Sequence, residues 1–487
     1  MDRRDCLKGM AAITAFHALR SAHAASMNGR AVEIAVDPRR AGKSISPRFM
    51  GLGYEISSVA LETFLHPENH SYAQMVRTLS PQGVIRVGGN TSDYAAWSRD
   101  GAAVSAPKAT IVNRASIQNL AGFLRATGWT LIWGLNLGQD REDEAVEEAR
   151  AIAAIVGVGS VMFEVGNEPD LFVHAHRAAG YDYEQWREQY QDYAGRIARV
   201  VPGAVFAGPD VAVHTDWVGK FAQHAAKNMK LLTHHYYAEG PPKNPASTIE
   251  NLLKPDPKLT RMLAQMRETS HTSGLPFRIC ETNSCFGGGK PGVSDTFASA
   301  LWGLDYMFTL AEAEAEGLNM ETGVNQLGFV SSYSPIVARE DGGYTARPLY
   351  YGMLAFAQSG HGRVLPLDYD AGALKMKAHA VLADNHTLDL TLINQDATQD
   401  IGVRVITPGE FRSARVSALT APSLESKTGV ALAQATVSSN GSWSPGKSGM
   451  QPVRDGKLEI VVPAASALII RISETRKAHH YQPANLR

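Results

Sequence analysis

The chain has 487 residues, of which 44% are hydrophobic and 20% are charged, and its formal net charge is −1. This length is enough for one large catalytic domain and a smaller one, and the composition is ordinary for a globular protein. With 47 Lys and Arg against 48 Asp and Glu, bulk electrostatics exclude nucleic acid and membrane surfaces as expected partners.

The N-terminal residues are typical of an export signal rather than of a folded element. Arg3 and Arg4 form a twin-arginine pair, residues 9–19 are modestly apolar, and Ala22-His23-Ala24 is a small-residue cleavage site. We therefore predict a signal peptide over residues 1–25 and an exported protein, periplasmic or secreted. The sequence gives no indication of the oligomeric state.

Strand-like runs alternate with amphipathic stretches from residue 46 to residue 350. We predict eight strands, at 49–56, 84–88, 130–137, 160–165, 204–208, 231–237, 277–281 and 326–331. Eight strands at this spacing, each followed by a crossover, favour a (β/α)8 TIM barrel. A doubly wound open sheet is disfavoured, because the first strand lacks the third glycine and the helix start of a dinucleotide-binding turn.

The character of the sequence changes after the barrel. Short β-branched runs separated by Gly, Asp, Asn, Ser and Pro fill residues 351–475, which predicts an all-β sandwich domain. A lone strand within residues 26–45 is expected to join this sandwich, and residues 476–487 form a tail. Cys280 and Cys285 show no disulfide or zinc spacing and are expected to be unpaired thiols.

Two glutamates follow barrel strands and carry the predicted chemistry. Glu168 lies in Asn167-Glu168-Pro169 after the fourth strand, and Glu281 follows the seventh. Active sites of TIM barrels lie at the C-terminal ends of the strands, so these two carboxyl groups are expected to face each other. A retaining glycosidase needs such a pair about 5–5.5 Å apart. We predict that Glu168 is the acid/base and Glu281 the nucleophile.

Neighbouring polar residues fit the same scheme. Asn167 can hydrogen-bond the sugar 2-hydroxyl group, Tyr237 can orient the nucleophile, and Arg86 can support its negative charge. Glu164, four residues before Glu168, is the competing carboxylate and is expected to lie deeper in the barrel. His235 is counted among the substrate-binding residues. The pair His234-His235 has no third ligand at a sensible spacing, so neither a metal nor another cofactor is expected.

Four motifs resemble the heparanase and β-glucuronidase group, glycoside hydrolase family 79. They are Arg86-Val87-Gly88-Gly89-Asn90, Gly166-Asn167-Glu168-Pro169, His234-His235-Tyr236-Tyr237 and Glu281-Thr282-Asn283-Ser284-Cys285-Phe286-Gly287-Gly288-Gly289, which continues into Ser294-Asp295-Thr296-Phe297-Ala298. The first three are shared with related families, whereas the last is more specific. The resemblance covers the barrel and the flanking sandwich.

The resemblance implies a site for β-linked glucuronic acid. The N–H groups of Gly287 and Gly288 and the hydroxyl group of Tyr333 would bind the sugar carboxylate, and Glu55 and Asn90 would contact its hydroxyl groups. The chain departs from the animal heparanases at Phe286, where they carry tyrosine, and at Asn90, where they carry threonine.

The leading prediction is a retaining exo-β-glucuronidase that acts on glucuronic-acid-containing oligo- or polysaccharides or glycosides. An endo-β-glucuronidase is the first alternative, although no dense Lys/Arg cluster suited to heparan sulfate is visible in the sequence. A barrel glycosidase for neutral sugars is the second. A carbohydrate-binding protein without catalysis is the third, and the presence of both glutamates argues against it.

Overall fold

The computed structural model describes residues 31–99, 110–323, 330–409 and 411–473. The predicted signal peptide lies outside these residues, as do the predicted tail and residues 474–475. Among the helices that the structure describes, none has the length and apolarity needed to cross a membrane.

Eight parallel strands form a closed barrel, as predicted. In chain order they are Gly51–Glu55, Val84–Gly88, Thr130–Leu135, Val161–Val165, Phe206–Val211, Met229–Glu239, Phe277–Cys285 and Gly317–Glu321. Each strand pairs with its neighbours in sequence, and the eighth closes the barrel against the first, with Glu321 opposite Gly53. All eight carboxyl ends therefore lie at one mouth of the barrel.

The predicted eighth strand at residues 326–331 is wrong. The barrel is closed by Gly317–Glu321, a segment whose sequence lacks the β-branched and aromatic residues typical of strands. Its central Asn319 is fully buried and donates hydrogen bonds to the carbonyl oxygens of Leu52 and Val84. Most of the predicted segment, residues 326–329, lies outside the described residues.

Helices connect the strands and cover the barrel. Among the described residues the α-helices are His70–Leu79, Arg114–Thr127, Glu142–Ile152, Tyr183–Val200, Thr215–Gln223, Ile249–Leu252, Pro257–Ser273, Phe297–Glu312 and Pro348–Ser359. Several begin at a side-chain cap: Asp182 accepts from the backbone N–H groups of Glu184 and Gln185. Such caps satisfy donors that the first helical turn leaves free.

Strands outside the barrel form two facing sheets. The four-stranded sheet has the order Leu367–Tyr369, Val32–Val36, Ile401–Ile406, Lys457–Val462. The larger sheet has the path Arg363–Leu365, Met376–Leu382, Leu388–Asn394, Ser466–Ser473, Ser413–Thr420, Ala431–Leu432, with Gly449–Pro452 paired to Ser413–Thr420. Buried aliphatic side chains of both sheets form one core, including Ile34, Leu390, Val403 and Ile470. The N-terminal strand Val32–Val36 thus pairs with two strands that follow the barrel in the chain, Leu367–Tyr369 and Ile401–Ile406.

The outer face of the larger sheet packs on the barrel. The helices Phe297–Glu312 and Pro348–Ser359 lie between them and are buried along most of their length. The predicted start of the sandwich domain, residue 351, falls inside the second of these helices. His379 of the sheet bonds Glu312 and Asp305 of the first helix, at 2.7 and 3.0 Å.

Two short strand pairs complete the described elements. Ala96–Ser98 pairs with Ile111–Asn113 in parallel, and Ile336–Ala338 pairs with Tyr344–Ala346 in antiparallel orientation.

Candidate active site

Glu168 and Glu281 lie at the mouth formed by the carboxyl ends of the strands. Glu168 follows the fourth strand, Val161–Val165, while Glu281 lies within the seventh, which continues to Cys285. The pairing of this strand with the sixth shifts register between Ile279 and Glu281. One carboxylate oxygen of each glutamate and a ring nitrogen of His235 lie within 4.8 Å of one another. This is close enough for both carboxyl groups to act on one glycosidic bond.

Both carboxylate oxygens of Glu281 have a donor. The Tyr237 hydroxyl group donates to Oε1 at 2.9 Å, and Arg86 Nη1 donates to Oε2 at 2.8 Å. The side chain of Glu281 is 9% exposed and that of Arg86 is 1% exposed. A cation and a hydroxyl donor in a water-poor site stabilise the negative charge of Glu281 and fix its orientation.

Arg86 joins four polar side chains beneath the site. Besides Glu281, its guanidinium donates to Glu164 Oε2 at 3.0 Å, Asn167 Oδ1 at 2.8 Å and Asp210 Oδ2 at 2.5 Å. Burial alone would lower the pKa of Arg86, but Asp210, Glu164 and Glu281 raise it well above its usual range. Arg86 is therefore the permanent cation that lets these acids lie close together.

His235 links the two halves of this network. Its Nδ1 bonds Glu168 Oε1 at 2.9 Å and its Nε2 bonds Asp210 Oδ1 at 2.8 Å. Burial would lower the pKa of His235, but Asp210 and Glu281 raise it well above 6.5. A protonated ring donates to one oxygen of each of these two acids, and a protonated Glu168 can still accept at its carbonyl oxygen. Because both ring nitrogens are occupied and the side chain is 1% exposed, this geometry suits positioning of Glu168 rather than direct contact with a sugar.

The backbone at Glu168 has a left-handed conformation, with φ 52°. Its N–H donates to the Asp210 carbonyl oxygen at 3.0 Å, and Asp210 also has a positive φ of 60°. Non-glycine residues rarely occupy this region, and those that do are concentrated at functional sites. Burial raises the pKa of Glu168 above its ordinary value, although His235 opposes the shift. A raised pKa favours the protonated carboxyl group that proton donation requires.

Two buried aspartates hold the loops around the site. Asp93 accepts from the backbone N–H groups of Leu137, Gly138 and Asn167. Asp170 accepts from three consecutive backbone N–H groups, at residues 212–214. These bonds tie together loops that follow neighbouring barrel strands, so the positions of Asn167 and Glu168 are fixed by several elements at once.

Glu55 and Asn90 lie on the side of the mouth formed by the first two strands. Glu55 Oε2 accepts from the N–H and the hydroxyl group of Thr91, at 2.7 and 2.6 Å. Burial, together with Glu281, raises the pKa of Glu55 to about 7. A Cβ at Gly89, where φ is +70°, would lie 2.5 Å from the Glu55 carboxyl carbon. Asn90 Oδ1 accepts from Asn167 Nδ2 at 3.3 Å.

The glycine run follows directly after the seventh strand. Gly287 and Gly288 have φ of +75° and +89°, which favours glycine. Neither N–H donates to a protein acceptor among the described residues, and Gly288 is buried. Tyr333, 7% exposed, packs on Tyr237 with ring centroids 6.2 Å apart. The side chain of Phe286 is 46% exposed beside them.

The sequence prediction missed three acids of this region. Asp93, Asp210 and Glu321 are all buried. Asp210 and Glu321 are the terminal or penultimate residues of barrel strands, a position that marks functional groups in this fold. Asp93 lies in a 3-10 turn after the second strand, and no sequence pattern indicates its loop-binding role.

Within the part of the chain that the structure describes, two triads of side chains have donor atoms close enough to hold a metal ion. They are Glu164, Asp210 and Cys280, and Glu168, His235 and Glu281. In both, the carboxylates already bond Arg86 or His235. The arrangement therefore suits acid–base chemistry without a metal ligand set, and the expectation of no metal stays a prediction.

Comparisons with known proteins agree with this geometry. No family model matches the chain. It is 26% identical over 480 residues to a β-glucuronidase of Aspergillus niger, covering 84% of this chain and 87% of that protein. It is 25% identical over 278 residues to a heparanase of Bos taurus, covering 52% of this chain and 47% of that protein.

Solved structures share the fold. A 4-O-α-L-rhamnosyl-β-D-glucuronidase from Fusarium oxysporum superposes with a TM-score of 0.71 at 19% identity, covering 90% of this chain and 99% of that one. A family 51 arabinofuranosidase from Xanthomonas axonopodis gives a TM-score of 0.68 at 18% identity, covering 91% and 100%. The sequence relatives confirm the resemblance predicted from the motifs: this chain is a glycoside hydrolase that resembles the β-glucuronidases and heparanases of family 79.

Proposed function

We propose that the protein is a retaining exo-β-glucuronidase that releases terminal β-linked glucuronic acid. The observation that carries the proposal is the proximity of Glu168 and Glu281 at the barrel mouth, within 4.8 Å, next to two glycine N–H groups available for an anion. The first feature suits double displacement, and the second suits an acidic sugar.

In the first step Glu281 attacks the anomeric carbon, and the glycosidic C–O bond breaks. Glu168 donates its proton to the departing oxygen, so the aglycone leaves as an alcohol and the sugar is bound to Glu281. In the second step Glu168, now a carboxylate, takes a proton from water, which attacks the same carbon and releases Glu281. Inversion at each step gives net retention of the anomeric configuration.

The environments of the two glutamates support this division of roles. Glu281 accepts from Arg86 and Tyr237 at both oxygens, as an ionised nucleophile requires. Glu168 has a raised pKa and its side chain is 18% exposed, against 9% for Glu281. The more accessible group, whose pKa is raised, is the one suited to meet a leaving group and then water.

Recognition of the sugar would use the surrounding polar groups. The N–H groups of Gly287 and Gly288 and the Tyr333 hydroxyl group would hold the C5 carboxylate, while Glu55 and Asn90 would hold ring hydroxyl groups. Asn167, fixed by Arg86 and Asp93, would offer its amide to the 2-hydroxyl group. Glycines allow a carboxylate to approach backbone donors closely.

The extent of similarity supports a β-glucuronidase rather than a heparanase. The fungal β-glucuronidase matches most of this chain, whereas the heparanase matches about half of it.

Incubation with p-nitrophenyl β-glucuronide, and in parallel with the β-glucoside and β-xyloside, tests the proposal. Selective release of p-nitrophenol from the glucuronide is expected, with the β-anomer as first product by NMR. An α-anomer as first product would contradict retention. Preference for a neutral glycoside would overturn the assignment of the carboxylate site, and cleavage only within polysaccharides would replace exo by endo action.

A further inference from the structure

A buried carboxyl group without an assigned role lies at the end of the eighth strand. Glu321 is 2% exposed, and neither of its carboxyl oxygens has a hydrogen-bond partner among the described residues. Leaving a buried polar group unpaired costs stability, so native structures rarely tolerate it without a functional reason. Such a group at a site mouth is suited to pair with a ligand.

The Glu321 side chain points into the barrel mouth. Side chains alternate along a strand, and Asn319, two residues earlier, bonds groups inside the barrel. On the neighbouring first strand, a Cβ at Gly53 would lie 2.5 Å from Glu321 Oε2. The absence of a side chain at Gly53 therefore makes the space that the Glu321 carboxyl group occupies.

The surroundings of Glu321 are those of the sugar pocket. Charged and titratable groups from the first, second, sixth and seventh strands, and from the loop after the eighth, act on it electrostatically: Tyr54, Glu55, Arg86, His235, Tyr237, Glu281 and Tyr333. Burial raises the pKa of Glu321 well above its usual range, and Glu281 and Glu55 raise it further. Arg86 and His235 act in the opposite direction without reversing the shift. Burial thus favours the protonated form of Glu321, which can both donate and accept a hydrogen bond.

We propose that Glu321 is a specificity-determining residue whose carboxyl group hydrogen-bonds a polar group of the sugar held between Glu281 and Glu55. The bonded group is a ring hydroxyl group or the C5 carboxylate. The proposal rests on the function proposed above for the same pocket. The protonated form of Glu321 accommodates an anionic sugar, which an ionised carboxylate would repel.

The test compares Glu321→Gln and Glu321→Ala with the wild type. Glu148→Gln is the matched control, because Glu148 is also a buried acid, 4% exposed, with its pKa raised to about 8, but bonds Trp133 on the outer side of the barrel wall. Glu321→Ala should lower kcat/KM by about 10- to 100-fold, chiefly through KM, because the sugar loses a buried hydrogen bond. Glu321→Gln should stay within a few-fold of the wild type, since an amide also donates and accepts.

Melting temperature separates a binding role from a structural one. Removing an unpartnered buried acid should leave the melting temperature of both Glu321 variants unchanged or higher. A Glu321→Ala variant with kcat/KM within threefold of the wild type would overturn the proposal. A melting temperature lowered by several degrees, with the loss of activity following it, would do so as well.

The two sugar groups are distinguished by substrate. A loss confined to the aryl glucuronide assigns the contact to the carboxylate, and an equal loss on the glucoside assigns it to a hydroxyl group. If the wild type cleaves only the glucoside, the proposed function fails, but the comparison on that substrate still tests Glu321. If it cleaves neither, calorimetry with D-glucuronate measures binding instead. Weaker binding to Glu321→Ala than to the wild type supports the contact, and equal or undetectable binding to both overturns it.

Discussion

Replacement of Asp210 by Asn removes one charge at the centre of the network without changing the shape of the side chain. Asp210 accepts from Arg86 and from His235. Burial alone would raise its pKa, but the two cations lower the pKa of Asp210 from 3.8 to about 2. A shift of this size corresponds to about 2 kcal/mol of stability at neutral pH.

The sign of the pH dependence follows from the lowered pKa. The stabilisation is fully present above pH 3.8 and is lost as the pH falls through about 2. Urea unfolding should therefore show the wild type about 2 kcal/mol more stable than Asp210→Asn at pH 5 to 7. The difference should shrink below pH 4.

The same substitution should impair catalysis. Without Asp210 the protonated form of His235 is less favoured, and its bond to Glu168 weakens. Misplacement of the acid should reduce kcat on the aryl glycoside that the wild type cleaves by roughly 100-fold. Asp389→Asn is the control, because Asp389 is a buried acid paired with Arg471 in the larger sheet of the sandwich. The reasoning is refuted if Asp210→Asn keeps wild-type kcat, or if Asp389→Asn lowers kcat as strongly.

Three further predictions concern the acid Glu168, Gly89 in the loop after the second barrel strand, and the contact of His379 with the helix Phe297–Glu312. Because the pKa of Glu168 is raised, kcat/KM should fall as the pH rises through it. Glu168→Ala should lose this limb on an aryl glycoside with a good leaving group, and retention of the limb would exclude Glu168 as the acid. Gly89→Ala should lower kcat/KM, because its Cβ would displace the Glu55 carboxyl group. Gly274→Ala, with a similar φ of +73° and open space at its Cβ, should lower the free energy of unfolding in urea by about 1 kcal/mol without loss of activity. Equal activity of the two variants would contradict the argument from space. Burial would lower the pKa of His379, but Glu312 and Asp305 raise it to about 9. His379→Gln should therefore destabilise the protein by about 3 kcal/mol at pH 6, and by less as the pH rises through 9. A difference in the free energy of unfolding in urea that does not change with pH would refute this.

The sequence predicted the barrel and its two central glutamates because both leave local signals. Alternating strand and helix patterns indicate the fold, and Asn167-Glu168-Pro169 ends a strand. Gly317–Glu321 leaves no such signal: its burial depends on Asn319 bonding two neighbouring strands, a contact between residues far apart in the chain.

The polar network beneath the site was predicted only in part. Arg86 and Tyr237 were assigned to Glu281 from their strand positions, and the structure brings both within hydrogen-bond distance of it. His235 was assigned to substrate, whereas its ring bonds two carboxylates. To predict these two bonds one would need to know that Asp210, which follows the cis Gly208-Pro209 bond, lies within hydrogen-bond distance of the His235 ring. No local sequence pattern contains this information.

Mass spectrometry after incubation with a 2-deoxy-2-fluoro-β-glucuronyl fluoride tests the central claim most directly. The electron-withdrawing fluorine slows release of the covalent intermediate, so a retaining enzyme accumulates it. We predict one added sugar per chain, on the peptide that contains Glu281, and no labelling of Glu281→Ala. Labelling of another carboxylate, or turnover of glucuronides without any adduct and with inverted product, would contradict the account.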